Sequence, residues 1–400
     1  MKSKLIVAID QIAPSTGGFW TTLDIVEALQ ERYDVKIFII GFNYYSSIKT
    51  LITIVKERFG SLGVLYFPFV KKNNPSSNFL KSFLKTLYSF FLYIVFFKDL
   101  KRSQEFLKTT QKIFLSSFIS LRDLEELKQI TIKDICIIQN HAGSIETIGN
   151  FSKIINGARD NSSYSAYLAK VDKILFQSQL QEENFRQIHN ELEVETFSFL
   201  PSINERKLKI KKAVKKSQIF KDVKCFNIVY VATIQKRKRQ DFCLKVFKEL
   251  YLKDQKINLF LIGEYFNDDY FSNLKEYIEK NKISHRVHFL GYRDDYVDYL
   301  RYCDLVIHPS GAEGVSRILR ESLFFGKAII ASNIEGNRDL FENENSAVLI
   351  DPENIKSFSE SVLMLKNDIN LLNDYEKKAR ISYDKHLSFD MYKKNILNYF

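Results

Sequence analysis

The amino-acid sequence predicts an α/β protein with two doubly wound domains, whose parallel sheets face each other across a cleft. Two observations predict this fold. Short apolar runs of strand type alternate with helical patterns along most of the chain, which is typical of βαβ units. The 400 residues exceed what one hydrophobic core usually organises, and the alternation restarts after a basic segment near the middle. Ligands of such sheets bind beyond the carboxyl ends of the strands, so functional residues are expected there.

The first domain is predicted over residues 1–203. It begins with a βαβ unit made of a strand at 5–9, a helix at 21–32 and a strand at 35–40. Further strands are predicted at residues 64–69, 113–119, 135–139, 173–178 and 194–200. Pro201 ends the last of these strands, because proline cannot donate to a hydrogen-bond ladder.

The second domain is predicted over residues 223–385, after a basic linker at 204–222. Helices fit between its strands and continue into a final helical segment at 368–400. Its last part, residues 386–400, is predicted to be a C-terminal helix that packs back on the first domain. The strands of this domain are predicted at residues 226–232, 258–263, 287–292, 304–310, 327–332 and 347–350.

Charge and composition narrow the classes of partner. The formal net charge of +11 suits an anionic partner such as a phosphate-bearing substrate, an anionic lipid or a nucleic acid. The sequence shows no RNA-binding or zinc-finger pattern, so nucleic acid is not an expected partner. Its four cysteines lack metal-ligand spacing, and its first residues lack the pattern of a secretory signal. We therefore expect a cytoplasmic protein.

The most hydrophobic passage of the sequence is residues 85–98, KTLYSFFLYIVFFK. It is flanked by lysines and is shorter than the ~20 residues needed to span a bilayer. The passage, with the aromatic residues from 79 onward, favours peripheral contact with an anionic membrane surface. The alternative is a buried helix that covers the sheet of the first domain. Both interpretations stay open at this point.

The stretch EGVSRILRE begins at Glu313, just after the strand predicted at 304–310. Its apolar residues recur with helical spacing, so Gly314 is predicted to begin a helix at the carboxyl edge of the sheet. The backbone N–H groups of Gly314, Val315 and Ser316 would then be unpaired donors at a helix N-terminus, which favours phosphate binding. Glu313 lies at the mouth of this site. Its alternative role is a favourable interaction with the helix dipole.

Glu321 lies two turns inside the same predicted helix, beside its apolar stripe. A carboxylate that faces the cleft there would accept hydrogen bonds from two hydroxyl groups, as a ribose offers. The alternative is an exposed ion pair with Arg317, one turn earlier, which stabilises a helix by only about 0.2–0.5 kcal/mol.

The longer segment at residues 308–354 resembles the glycosyltransferases of family 4, which have the GT-B fold and carry two glutamates separated by seven residues. The segment also has the family's order of turn glycines, apolar strands and a closing Asp-Pro pair. Asp339 stands where the family usually has Glu, and Ser346 where it usually has Gly. The resemblance implies that the two predicted domains are the Rossmann-like domains of the GT-B fold.

Residues 229–242 resemble the family's strand and basic turn, whose side chains hold the donor diphosphate. Lys238 matches the family's lysine, whereas Thr233 stands where the family often has Arg. Neighbouring cations would then supply the missing charge, namely Lys236, Arg237 or Arg239. The alternative is a solvated basic loop.

Other positions of the second domain match the family's nucleotide site. The resemblance implies that the nucleotide is bound by Gly263, Gly291, Tyr292 and Ile318. Two acidic pairs lie nearby, at residues 268–269 and 294–295. Residues 294–295 are interpreted as helix N-terminal acids and residues 268–269 as solvated, because the resemblance implies a fold that handles the leaving diphosphate without a bound metal. No metal and no other cofactor are therefore expected.

Two positions of the first domain also match the family. Gly17 and Gly18 follow the first strand and precede a helix, as does the family's glycine pair near the donor phosphate. His141, after the strand predicted at 135–139, matches the family's histidine near the donor sugar. Each has a structural alternative, a tight βα connection for the glycines and a purely structural role for the histidine.

The resemblance implies a retaining enzyme that moves a sugar from a nucleotide-diphosphate-sugar to an acceptor hydroxyl. Its implied catalytic residues are Glu313, His141 and Lys238, and Glu321 would bind the ribose. The expected acceptor is a saccharide or a lipid-linked molecule in surface polysaccharide or glycoconjugate synthesis. Two alternatives stay open: a related nucleotide-sugar epimerase or hydrolase, and a non-catalytic, basic, membrane-associated binding protein.

Overall fold

The computed structural model of the chain describes residues 2–9, 17–40, 45–59, 64–67, 105–116, 124, 128, 136–141, 167–208, 210, 214–265, 267–341 and 345–400. Within these ranges the strands form two parallel sheets, one in each half of the chain. The segment at residues 79–98, for which a membrane surface or a buried helix was expected, lies outside the described residues.

The first sheet has seven strands among the described residues, in the order β3-β2-β1-β4-β5-β6-β7. The strands are Lys4–Ile9 (β1), Asp34–Ile40 (β2), Val64–Phe67 (β3), Lys112–Leu115 (β4), Cys136–His141 (β5), Lys173–Phe176 (β6) and Glu195–Ser198 (β7). The helices described in this half are Gly17–Leu29 (α1), Tyr45–Phe59 (α2) and Gln179–Ile188 (α3).

The second sheet has six strands in its described part, in the order β10-β9-β8-β11-β12-β13. The strands are Phe226–Val231 (β8), Ile257–Ile262 (β9), Val287–Gly291 (β10), Leu305–His308 (β11), Ile329–Ser332 (β12) and Val348–Ile350 (β13). Its helices are Lys216–Ile219 (α4), Gln240–Lys253 (α5), Asp268–Lys280 (α6), Tyr296–Tyr302 (α7), Arg317–Phe324 (α8), Glu335–Phe341 (α9), Ile355–Asn367 (α10) and Ile369–Ser382 (α11).

Both sheets reverse their strand order beside their first strand. The strand β1 lies between β2 and β4, and β8 lies between β9 and β11, with all pairs parallel. Such a reversal leaves a crevice at the carboxyl ends of the strands, where ligands of doubly wound folds bind. The ends of β8, β9, β10 and β11 therefore surround the place to look for a ligand site in the second half.

The core of the second half lies on both faces of its sheet. All six residues of β9 are buried, because helices cover both faces of a parallel sheet and leave no solvated side. One face packs against α5, α6 and α10 through Phe242, Leu274 and Phe358. The opposite face packs against α7, α8 and α11. The helix α8, which carries Glu321, is thus held against the sheet by apolar contacts.

The last helix of the chain, Phe389–Tyr399 (α12), packs on the first half of the molecule. Its buried residues Tyr392 and Ile396 belong to the same core as the first strand. The ring of Tyr399 stacks on that of Phe197, with centroids 4.6 Å apart. A π-helical turn at Tyr383–Leu387 joins α11 to α12, so the helical segment predicted at 368–400 consists of two α-helices and this turn. The proposed domain boundaries at 203, 222 and 385 stay predictions.

The first helix differs from the predicted one. It begins at Gly17, four residues before the predicted start, because Phe19 in its first turn packs into the core and this packing outweighs the low helix propensity of glycine. In the structure both glycines lie in its first turn. None of the helices in the described part of the chain combines the length and the hydrophobicity that a membrane-spanning segment needs.

Candidate functional site

Two glycines shape the carboxyl edge of the second sheet. At Gly263, just after β9, an added Cβ would lie 1.9 Å from the carbonyl oxygen of Ala232. The N–H of Gly263 donates to the carbonyl of Gly291 at 2.9 Å, and Gly291 has a φ of 65°, which favours glycine. The chain therefore needs glycine at both positions to bring these strand ends together.

The basic loop after β8 is anchored to the protein. Arg239, with a φ of 54°, donates to the carbonyl of Pro352 at 2.8 Å and lies on the ring of Phe242. The N–H of Gly311 donates to the carbonyl of Arg237 at 3.1 Å. These contacts anchor the loop, although Lys236 and Arg237 are exposed. They engage Arg239 in holding the loop, away from the role of replacement cation proposed for it.

Lys238 and Glu313 form a buried ion pair at this edge. The ammonium of Lys238 donates to Oε1 of Glu313, and the side chains are only 13% and 9% exposed. Arg237 contacts Oε2 of the same carboxylate at 3.4 Å. The Nε2 of His308, the last residue of β11, lies 3.8 Å from Oε1. Two sequence-predicted site residues are thus brought together, with two basic side chains beside them.

Burial and neighbouring charges set the protonation state of each group in this cluster. Burial raises the pKa of Glu313, but Lys238, His308 and Arg237 outweigh it and lower that pKa to about 2. Burial lowers the pKa of Lys238 against the attraction of Glu313. Burial also lowers the pKa of His308 to about 4, so its imidazole is neutral near pH 7. The cluster therefore holds one carboxylate against two cations, Lys238 and Arg237.

The helix that follows Glu313 begins later than predicted. It starts at Arg317, and Ser316 is its N-cap with an extended backbone. The hydroxyl of Ser316 lies 3.2 Å from Nε2 of His308. Gly314 and Val315 therefore belong to the loop before the helix, and the prediction that Gly314 begins it is wrong. A Cβ added at Gly336 would lie 1.5 Å from the carbonyl oxygen of Gly314, so this loop packs directly against α9.

Glu321 is fully buried in α8. Nε of Arg317 donates to its Oε1 at 2.8 Å, and the hydroxyl of Tyr296 donates to the same oxygen at 3.1 Å. The ion pair with Arg317, which was the alternative role for Glu321, is therefore present. It is buried, whereas an exposed pair was expected. Burial raises the pKa of Glu321 despite its contact with Arg317. The ribose-binding role stays a prediction.

Tyr292 and Ile318 are the other residues predicted to bind the nucleotide. Tyr292 follows β10 and is 53% exposed, and its hydroxyl donates to Asp294 at 2.9 Å. Ile318 is half-buried on α8. In the acidic pair at 294–295, the carboxylate of Asp295 forms an ion pair with Nε of Arg293 at 2.7 Å. In the described ranges no three or more His, Cys, Asp or Glu side chains lie close enough to hold a metal ion.

In the first half of the chain, Gly17 and Gly18 open α1 after β1. An added Cβ at Gly18 would meet no atom within 4 Å, so space alone does not require glycine there. His141 is the last residue of β5, and its side chain lies outside the described residues. His141 lies at a strand end as predicted, whereas Gly17 and Gly18 lie in the first turn of α1 and not before it. The binding roles of all three residues stay predictions.

Sequence reasoning missed the side chains that join the two halves at the site. Arg320, which is 1% exposed, donates to the carbonyl of Ser202 at 2.5 Å and to the hydroxyl of Thr21 at 3.2 Å. The carboxylate of Asp339 accepts the N–H of Leu180, in the first turn of α3, at 2.8 Å. The one available signal was Asp339, which departs from the usual Glu. Arg320 had none, because its partners are far away in the sequence.

Parts of the sequence match a protein-family model and the sequences of known proteins. The family model described as "Glycosyl transferases group 1" matches residues 211–382. The N,N'-diacetylbacillosaminyl-diphospho-undecaprenol alpha-1,3-N-acetylgalactosaminyltransferase of Campylobacter jejuni is 32% identical over 111 residues, which are 27% of this chain and 30% of that protein. The UDP-Gal:alpha-D-GlcNAc-diphosphoundecaprenol alpha-1,3-galactosyltransferase of Escherichia coli is 31% identical over 118 residues, 30% of this chain and 29% of that protein. The matched region spans less than a third of the length of these two relatives.

A solved structure is similar over nearly the whole chain. The crystal structure of HepE from Anabaena in complex with UDP and glucose aligns with a TM-score of 0.75 and 16% identity, over 99% of this chain and 98% of HepE. This likeness shows the fold. The chain therefore has the GT-B fold that its sequence predicted. The region that matches the glycosyl transferases group 1 family model, residues 211–382, contains Lys238, Glu313 and Glu321.

Proposed function

We propose that this protein is a retaining glycosyltransferase of family 4 that uses a nucleotide-diphosphate-sugar as donor. The buried pair of Lys238 and Glu313 carries the proposal. It lies at the carboxyl edge of the second sheet, beside the start of α8. A diphosphate needs a cation, and the hydroxyls of a sugar need an acceptor, so this donor matches both members of the pair. Without donor, the two side chains neutralise each other.

The proposed transfer exchanges one glycosidic bond for another. The bond between the anomeric carbon and the diphosphate oxygen breaks, and the acceptor oxygen bonds to the same face of that carbon. The departing diphosphate takes the proton of the acceptor hydroxyl. Lys238 and the backbone N–H groups of Gly314, Val315 and Ser316 stabilise the charge that grows on the diphosphate. Glu313 contacts the donor sugar.

The first half of the chain completes the proposed donor site. His141 faces the donor sugar from the end of β5, and the backbone of Gly17 and Gly18 lies near the donor phosphates. Glu321 accepts hydrogen bonds from the ribose. The nucleotide is further bound by Gly263, Gly291, Tyr292 and Ile318. The proposal includes no metal or other cofactor, because Lys238 and the start of α8 supply the positive charge.

The proposed acceptor is a saccharide, free or carried on a lipid diphosphate, in the synthesis of a surface polysaccharide or glycoconjugate. Two relatives support the lipid-linked form, since their names describe acceptors on diphospho-undecaprenol. The net charge of +11 suits both the diphosphates and peripheral contact with an anionic, cytoplasmic membrane surface.

A thermal-shift panel of UDP, GDP, ADP and CMP tests the donor site first. A nucleotide at about 100 times its Kd adds about 2.7 kcal/mol to the free energy of unfolding, so its binding raises Tm. The cognate UDP-, GDP- or ADP-sugars are then incubated with undecaprenyl-diphosphate-linked saccharides. The expected result is acceptor-dependent release of nucleotide and a product whose new anomeric configuration, read by NMR, equals that of the donor.

Matched variants assign the activity to the site. Glu313→Gln is expected to abolish most of the transfer, whereas Glu353→Gln, at a side chain that is 80% exposed, leaves it unchanged. Sustained turnover to free or epimerised sugar without acceptor would replace transfer by hydrolysis or epimerisation. Transfer that survives Glu313→Gln and Lys238→Ala together would remove the assigned site.

A further inference from the structure

Buried charges of alternating sign connect the first half of the chain to Glu321. Nη1 of Arg317 donates to Oδ2 of Asp24, and its Nε donates to Oε1 of Glu321 at 2.8 Å. The other oxygen of Asp24 accepts from Arg58, on α2, at 2.5 Å. Asp24 is 1% exposed, Arg317 8% and Glu321 0%. One guanidinium on α8 is therefore shared between a carboxylate of α1 and the carboxylate predicted to bind ribose.

This sharing fixes how Arg317 faces Glu321. A guanidinium can contact a carboxylate through two nitrogens at once, and such a contact occupies both oxygens of the carboxylate. Here Asp24 engages Nη1, and one nitrogen, Nε, contacts Glu321. The contact with Asp24 raises the pKa of Arg317 against its burial, so the shared cation is permanently charged.

The second oxygen of Glu321 has unused capacity. Both donors, Arg317 and Tyr296, bind Oε1, and the buried Oε2 has no hydrogen-bond partner among the described residues. Buried carboxylate oxygens normally have a partner. An acceptor oxygen that is preserved in this way suits a hydroxyl group of a bound ligand.

We infer that Arg317 is a positioning residue for Glu321, and that Asp24 keeps Arg317 turned so that Oε2 of Glu321 has no protein donor and can accept a hydrogen bond from the ribose. The inference rests on the proposed function, because it needs a ribose at Glu321. It adds a dependence of ribose recognition on the first half of the chain, through a side chain that contacts no substrate.

The neighbouring contacts support a coupling between the two halves. Arg320, on the same helix as Arg317, donates to the hydroxyl of Thr21 on α1 at 3.2 Å. Thr21 and Asp24 lie one turn apart on α1, so they hold adjacent parts of α8. If the halves separate, both contacts break together, and Arg317 becomes free to close over both oxygens of Glu321. Ribose binding and closure of the cleft therefore favour each other.

The test is ribose discrimination in the variant Asp24→Asn. The matched control is Glu27→Gln, which removes a negative charge from the same helix and also contacts Arg58, at 3.2 Å, but has no described contact with Arg317. Calorimetry measures the Kd of the nucleotide diphosphate that the wild type binds best among UDP, GDP and ADP. The same titration with its 2′-deoxy counterpart gives the ratio of the two Kd values.

We expect the wild type and Glu27→Gln to bind the ribonucleotide about tenfold or more tightly than the deoxynucleotide, the loss typical of an unmade hydrogen bond to a charged group. Asp24→Asn is expected to reduce the ratio to nearly one. Arg317→Lys, which keeps the charge but loses the planar fork, is expected to reduce it as well.

The outcomes separate this inference from the proposed function. A wild type that binds none of these nucleotides overturns both. A wild type that discriminates, together with an Asp24→Asn variant that keeps the full ratio, overturns the positioning role alone. An equal loss of affinity for both nucleotides in Asp24→Asn, with the ratio intact, would assign Asp24 a structural role only.

Discussion

Glu313 and Glu321 are separated by seven residues, but the structure gives them opposite environments. Glu313 contacts cations from its own half of the chain, Lys238 and Arg237, and its pKa falls to about 2. Glu321 shares its cation, Arg317, with Asp24 from the other half, and burial raises its pKa. One carboxylate is thus held within a single half of the molecule, whereas the other depends on how the two halves meet.

The difference has a physical origin. The loop that carries Lys238 is fixed by local contacts to the loop of Glu313, so their attraction outweighs the cost of burial. Glu321 is fully buried, and its cation, Arg317, contacts only one of its two oxygens, so burial outweighs that attraction. We therefore expect changes at the Glu313 end to alter catalysis, and changes at the Glu321 end to alter nucleotide binding.

The largest effect is expected for Lys238→Ala. Loss of a positioned charge that stabilises the transition state typically lowers kcat by about 10²–10³-fold, and the removal also leaves Glu313 with fewer cations. Lys245→Ala, at an exposed lysine on α5, is the control and should keep its kcat. Steady-state transfer assays measure both variants. A fall of less than tenfold in kcat for Lys238→Ala would remove this residue from the transition state.

His308 predicts a specific dependence of stability on pH. Its pKa is lowered from 6.5 to about 4 in the folded protein, so the unfolded chain binds a proton that the folded protein does not. The free energy of unfolding therefore falls as the pH drops from 6.5 to 4, by roughly 3 kcal/mol from this group, while Glu313 stays ionised. His308→Asn should lose this part of the pH dependence.

Urea unfolding at pH 7 and pH 5 measures the effect as a difference for each protein. The control is His285→Asn, at an exposed histidine that contacts Tyr251, and it should keep the wild-type difference. An unchanged difference in His308→Asn would mean that His308 is not held neutral by its surroundings. The comparison of the two variants therefore tests whether burial beside Glu313 keeps His308 neutral.

A smaller effect is expected for Tyr296→Phe at the Glu321 end. The variant removes the hydroxyl that donates to Oε1 of Glu321 at 3.1 Å, and one such bond is worth about 0.5–1.5 kcal/mol. Nucleotide Kd should therefore rise about 2- to 12-fold, with kcat nearly unchanged. The control is Tyr302→Phe. Tyr302 lies on the same helix as Tyr296, and its hydroxyl donates to the carbonyl of Val214. Equal effects of both variants would contradict a link between Tyr296 and the nucleotide.

Much of the fold could be predicted from sequence. Each strand predicted in the described ranges overlaps an observed one, because runs such as Ile257–Ile262 must be apolar on both faces of a parallel sheet. Glu313 could be found because it follows a strand end, and the topology brings strand ends to one edge, whereas Lys238 was found because its segment resembles the family's basic turn. The start of α8 was misplaced, because spacing of apolar residues does not show where the loop before Ser316 changes to helix.

Three features follow from the order of residues alone: the alternation of strands and helices, the basic loop after β8, and the pair of glutamates on the segment after β11. The spacing of Arg317 and Glu321, one helical turn apart, follows from it as well. The folded molecule was needed to show that this pair is buried and shared with Asp24, and that Arg320 joins the two halves of the chain. Burial depends on which distant residues cover a side chain. The same ion pair is a weak surface contact when solvated, and becomes a strong constraint when the other half of the molecule excludes water from it.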